Sequence, residues 1–169
     1  MFNITITSYI KSLINLKGIL VKAKVWQEAN SFTEEALLAT HLAVDQFPLV
    51  RQVQMTADYA KRGGAVLCGI EAPKYEDNEK TVEELQARID KTIAFLSTLT
   101  PDMVKDDLET RMVPFIYVPG KGFTAKYFVE VYALTNFYFH YTTAYSILRN
   151  LGLPIGKQDY MSLDLKDLA

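Results

Sequence analysis

Two histidines, His41 and His140, are the only imidazoles in this 169-residue chain, and Cys68 is its only thiol. Counting alone excludes a three-histidine metal centre and a thiolate cage. One imidazole joined by Asn, Gln or carboxylate oxygens is a poorer donor set for transition metals. The strongest constellation is Asn136 with His140, four residues apart and therefore on one face of a helix. Both lie in the most aromatic stretch of the chain, where a polar group buried without a partner costs roughly 1–3 kcal/mol. Gln52, Gln54 and Asp58, on a second helix, are the available partners, and the spacing of Gln54 and Asp58 again puts them on a shared face. Such a cluster is either a satisfied polar network that sets the register of a bundle or a site for a small molecule or metal. His41 sits in a short connector ahead of Asp45 and reads as exposed or locally bonded. Cys68, near a helix end and without a flanking His or Asp motif, reads as a small apolar filler. Gly63-Gly64 lacks the strand-turn-helix context of a phosphate-cradling loop, and no motif spells a Ser-His-Asp arrangement.

Helices must carry these residues, and the apolar spacing supplies them. Over 5–29, Ile6, Tyr9, Leu13, Leu16, Leu20 and Ala23 recur at steps of three and four, the seam of a bundle helix. Ser31-Phe32-Thr33-Glu34 has the pattern of a capping box and predicts a short connector helix through Leu38. A second long helix is predicted over 45–67, with Asp45 as cap, Pro48 in the first turn, and Leu49, Val53, Thr56, Ala60 and Leu67 inward. Gly63-Gly64 inside it costs roughly 1 kcal/mol per glycine relative to Ala, so close approach by a helix or ligand is expected in compensation. Gly69 is its stop. After a polar loop over 70–80, Thr81-Val82-Glu83-Glu84 caps a third helix reaching about 99, with Val82, Leu85, Ile89, Ile93 and Leu96 inward. A short helical turn with Pro101 at its first position follows. The period then changes to alternation over 109–118, before the turn Gly120-Lys121-Gly122, which predicts a small β-hairpin with Pro114 in an edge strand. A fourth helix, capped by Thr124, is expected over 124–151, with an irregular tail from Pro154 anchored by Tyr160. Four amphipathic helices with short joints make an all-α, antiparallel four-helix bundle, or its variant with a crossover connection.

Composition narrows the function classes. The chain is long enough for one domain with a full core, so 1–169 is expected to be a single unit. Its net charge of −2, with no Lys/Arg cluster beyond Lys61-Arg62, argues against nucleic acid as a partner. That dipeptide reads as a solvated helix surface. No segment reads as long and apolar enough to span a membrane, and Lys11, Lys17, Lys22 and Lys24 interrupt the apolar run that a secretory signal would need. The Asn3-Ile4-Thr5 sequon is then expected to stay unglycosylated. An unpaired cysteine suits a reducing compartment, and the cytoplasm is the expected location.

The stretch Asn136-Phe137-Tyr138-Phe139-His140-Tyr141-Thr142-Thr143-Ala144-Tyr145, continued by Ile147-Leu148-Arg149-Asn150 and Gly152, is the most distinctive in the chain. Together with Phe47-Pro48-Leu49-Val50-Arg51-Gln52-Val53-Gln54 and Ile155-Gly156-Lys157-Gln158-Asp159-Tyr160, it resembles a family of uncharacterised bacterial proteins in the DinB-like (YfiT-like) superfamily. The resemblance implies a four-helix bundle with a crossover connection, often homodimeric. In the wider superfamily some members bind nickel or zinc through three histidines, one on the second helix and two four apart on the fourth. Some are thiol-dependent S-transferases or metal-dependent hydrolases. Carried onto this chain, only His140 matches a ligand; Asn136 replaces the other histidine of the fourth helix, and Gln54 aligns with that of the second. Neutral amides are poor nickel or zinc ligands. The expectation is therefore a non-metallated bundle with a small-molecule site at His140, Asn136, Gln54 and Asp58. One alternative is a metal-assisted transferase or hydrolase with His140 as ligand and Asp58 or a water completing the sphere. The other is a dimeric interaction module without a ligand.

Overall fold

Ile6, Tyr9, Leu13, Leu16, Leu20 and Ala23 are all buried in the computed structural model, which describes residues 1–161. They lie on helix α1 (Ser8–Ala29) and the π-helical turn Asn3–Thr7 leading into it. Helices α3 (Leu49–Cys68), α4 (Val82–Ser97) and α6 (Leu134–Asn150) complete the bundle. α3 packs against α4 and α6, and α1 packs against the same two. α1 and α3 therefore stand at opposite corners, and the segment between them, carrying the short helix α2 (Glu34–Leu38), crosses over the bundle. The crossover variant is thus the one adopted. By length and composition alone, Asn3–Ala29 is long and apolar enough to cross a membrane, contrary to the expectation that no segment is. In the fold its inward stripe forms one wall of the core.

Local signals set most helix ends. Thr81 accepts from the Glu84 backbone N–H, and the Glu84 carboxylate accepts from the Thr81 backbone N–H, closing the predicted capping box of α4. Gly69 ends α3 in the left-handed region at φ 65°, which a side chain would strain. Gly63-Gly64 is explained by helix approach: a Cβ on Gly63 would lie 3.0 Å from the Tyr9 ring, and one on Gly64 2.8 Å from Leu96. Two predicted starts move. Helix α3 begins at Leu49 with Pro48 as its cap, because a residue before proline is pushed out of the α region and Phe47 cannot continue a helix from Asp45. The cap of α2 is Thr33, which accepts from Ala36 N–H at 3.2 Å; Ser31 instead takes a left-handed turn at φ 58°.

The hairpin is shorter than the alternation suggested. Strand β1 (Met112–Pro114) pairs antiparallel with β2 (Gly122–Thr124), with Val113 opposite Phe123. Phe115 N–H adds one bond to Lys121 O, after which Val118 N–H turns back to Phe115 O and the strand curls away. The fourth helix runs in three parts. Thr124 caps α5 (Ala125–Tyr127) as expected, a π-helical stretch follows over Phe128–Ala133, and α6 continues the rod. Beyond Pro154 the chain is helical rather than irregular over α7 (Lys157–Met161). Tyr160 anchors it, stacked 4.2 Å from Tyr141, while its carbonyl accepts from Asn15 and the Tyr141 hydroxyl. The remainder of the predicted tail lies outside the described residues.

Candidate functional site around His140

His140 is buried on the face of α6 that meets α3. Its Nδ1 lies 2.7 Å from Gln52 Oε1. The same amide donates from Nε2 to the Phe47 carbonyl at 3.0 Å. Because a carbonyl can only accept, Gln52 must present its NH₂ to Phe47 and its oxygen to the imidazole. Nδ1 therefore carries the proton, and Nε2 keeps a lone pair. The ring lies near-parallel to Tyr59 at 5.7 Å and to Phe47 at 6.4 Å, with Phe139 edge-on at 5.2 Å. Burial, reinforced by the nearby Arg51 charge, pushes the His140 pKa down to about 4, so the imidazole is neutral at physiological pH.

An aromatic column continues from this ring toward the surface. The Tyr59 hydroxyl lies 3.4 Å from that of Tyr132, and burial together with this contact raises the Tyr59 phenol above its ordinary range. Tyr132 comes from the π-helical stretch and stacks on Phe123 of the hairpin at 5.0 Å, with Phe115 edge-on at 5.9 Å. A π turn houses one extra residue, which rotates the preceding face by about 100° relative to a plain α-helix; such turns are frequent at functional sites. Tyr132 can thus face the hairpin while Phe137, His140 and Tyr141 face inward. Between α3, the hairpin turn and Tyr132 lies a cleft of about 160 Å³, walled by Tyr59, Phe115 and Phe128 with Arg51, Asp58 and Arg62 beside them.

Residues 1–161 match the family described as a domain of unknown function, DUF1993. The chain belongs to the DUF1993 family. Among solved structures it is similar to one described as a DinB family member protein from Shewanella denitrificans, at 37% identity over 97% of this chain and 93% of that one, with a TM-score of 0.89. This DUF1993 protein is accordingly DinB-like, as its helix-four motif implied. No curated protein matches it.

The predicted constellation divides in two. Asn136 turns its amide back to the Tyr132 carbonyl on its own helix at 2.7 Å. Gln54 and Asp58 do share a face, but that face meets α4. On a helix, two residues are about 200° apart in azimuth over a two-residue step, so Gln52 reaches His140 while Gln54 points elsewhere. Gln54 donates to Glu79 at 2.8 Å and accepts from Arg51 at 3.2 Å. Asp58 accepts from Arg88 at 2.8 Å and pairs with Lys61 at 2.9 Å. Lys61 is not a solvated surface lysine: it is buried and lies over the Tyr75 ring at 3.9 Å. His41, exposed, has its Nδ1 2.6 Å from the Gln46 carbonyl, a local bond as expected. Cys68 is buried in the core.

At the centre of this second cluster is Arg88, which sequence reasoning missed although its side chain is only 2% exposed. It donates to Asp58, Asp77, Glu79 and the Glu76 carbonyl, clasping the 70–80 segment onto α3 and α4. Burial pulls the Glu79 pKa up, but hydrogen bonds from Arg88 and Gln54 outweigh it and leave the carboxyl below its usual range. Asp77 behaves likewise, with Arg51 its strongest partner. A signal was available: Arg88 sits at core spacing between Leu85 and Thr92, after a loop carrying Glu76, Asp77 and Glu79. A wider hollow of about 360 Å³ opens over Lys74, Glu84 and Lys91, but both terminal nitrogens of the Arg88 beneath it are already committed.

The donors around His140 do not suit nickel or zinc. Nε2 of His140 keeps its in-plane lone pair, but the near polar neighbour is a neutral amide turned toward Nδ1, a poor partner for either ion. Among the described residues, no three His, Cys, Asp or Glu side chains gather closely enough to hold an ion.

Proposed function

We propose that this DUF1993 protein is a non-metallated DinB-like bundle that binds a small molecule at the cleft end of the His140–Tyr59–Tyr132 column. The observation that carries the reading is the arrangement of His140 itself. Its tautomer is set by Gln52, its charge is removed by burial, and it backs an aromatic cleft that reaches the surface through two phenols. A small concave site with few oriented polar groups is the usual form of a small-molecule site. The amides at Gln54 and Asn136 are spent on other partners, which supports the absence of a metal there. The test is NMR of the full chain against a fragment set, with nickel and zinc titrated in parallel. Saturable shifts of the His140 and Tyr59 ring signals by fragments, without tight metal binding, are expected. Stoichiometric nickel or zinc broadening His140 would overturn the non-metallated reading.

A homodimer is the second reading, and an observation on α1 favours it. Ile14, Val21 and Val25 are about half exposed on one outer stripe, and between them a Cβ on Gly18 would meet nothing. That face has the apolar character of a subunit contact. Sedimentation equilibrium showing a monomer at high protein concentration would refute it. The buried Cys68 and the core role of α1 support residence in the cytosol.

A further inference from the structure

The charges around the cleft do not balance. Arg51 is held by Asp77 and by Gln54. Asp58, the carboxylate in the lining, is claimed by Arg88 and Lys61. Arg62, half-buried at the cleft, lies over the Phe128 ring at 5.4 Å, and among the described residues no carboxylate pairs with it. A partly desolvated guanidinium without an anion, at the rim of an aromatic cleft, is suited to a planar carboxylate that it can grip with two parallel hydrogen bonds. The walls set the rest of the ligand. Phe115, Phe128 and Tyr132 offer ring faces and edges. The volume, about 160 Å³, admits one ring, since a cavity of about 150 Å³ suffices for benzene. In the Tyr59–Tyr132 pair one hydroxyl donates to the other, so the second proton is available to a ligand oxygen.

We propose that the cleft takes a single-ring aromatic carboxylate, with Arg62 receiving the carboxylate and the Tyr59–Tyr132 hydroxyl pair supplying a further hydrogen bond. This rests on the small-molecule reading above and names its ligand class. Arg62 is then the specificity determinant, and the neutral amide of the same ring is the natural discriminating probe.

The experiment titrates the full chain with benzoate, benzamide and inorganic phosphate by calorimetry, with the His140 and Tyr59 ring signals followed by NMR. Benzoate is expected to saturate one site, at least about tenfold more tightly than benzamide, as a charge-assisted hydrogen bond requires. Arg62→Gln is expected to bring benzoate down to the level of benzamide with the melting temperature unchanged, and Arg62→Lys to keep part of the preference. Benzamide or phosphate binding as tightly as benzoate, or an indifferent Arg62→Gln, overturns the proposal. If other fragments shift the His140 and Tyr59 signals but no aryl carboxylate does, the ligand class falls and the small-molecule reading stands. If no fragment shifts them, both fall.

Discussion

Replacing Arg88 by alanine removes the one cation shared by Asp58, Asp77 and Glu79. Breaking a buried ion pair from one side costs about 3–5 kcal/mol, because the remaining charge stays desolvated. The structure places this case at the lower end. Asp58 keeps Lys61 and Asp77 keeps Arg51, so only Glu79, whose side chain is 10% exposed, is left without a cation. Lost packing of the Arg88 stem against Tyr75 adds to this. The expected loss is about 3 kcal/mol, or a fall in melting temperature of roughly 6–12 °C for a domain of this size. Urea denaturation of the full chain, with an unchanged m-value, measures it. Adding Glu79→Gln to Arg88→Ala should recover a large part of the loss, since the uncompensated carboxylate is then gone. A single-variant loss below about 1 kcal/mol, or no recovery in the double variant, would refute the view that Arg88 holds the 70–80 segment by charge.

Stability should also fall on acidification between pH 6.5 and 4. The His140 pKa is lowered from 6.5 to about 4, so in this window the unfolded chain takes up a proton that the folded one refuses. At 1.4 kcal/mol per pH unit the full effect is about 3 kcal/mol, and His140→Gln should flatten this part of the pH–stability curve; an unchanged slope would argue against a neutral buried imidazole. Asp77 and Glu79, held below their usual range, contribute stability that is fully present above their unfolded values and is lost as the pH falls from there through their folded values. Two glycines in helices should respond in opposite ways. Gly18→Ala, exposed with nothing near its Cβ, is expected to stabilise by up to about 1 kcal/mol, whereas Gly64→Ala must displace Leu96, Leu99 and Ile6 and is expected to destabilise by about 1–3 kcal/mol. Thermal melts of the two variants decide it, and a stabilised Gly64→Ala would show that α3 and α4 are less closely packed than described.

The sequence by itself determined whatever depends on neighbours along the chain. Steps of three and four placed the inward faces of α1, α3 and α4; Thr81 with Glu84, Thr124 and Gly69 set helix ends. Gly63-Gly64 announced a close approach before its partners, Tyr9 and Leu96, were known. The motif around His140 carried the DinB-like resemblance across the fold. Tertiary structure decided which face meets which helix. Helical spacing fixes relative azimuth within α3, so Gln54 and Asp58 had to lie together. It does not fix the absolute azimuth toward α6, and a two-residue difference transferred His140 from Gln54 to Gln52. The burial of Arg88 and Lys61 was likewise hidden, because it depends on an aperiodic loop closing over them and bringing Tyr75, Asp77 and Glu79 from outside any helix. The cleft beside Tyr59 exists only because α3, the hairpin turn and the π-helical stretch meet, three elements separated along the chain and joined by packing alone.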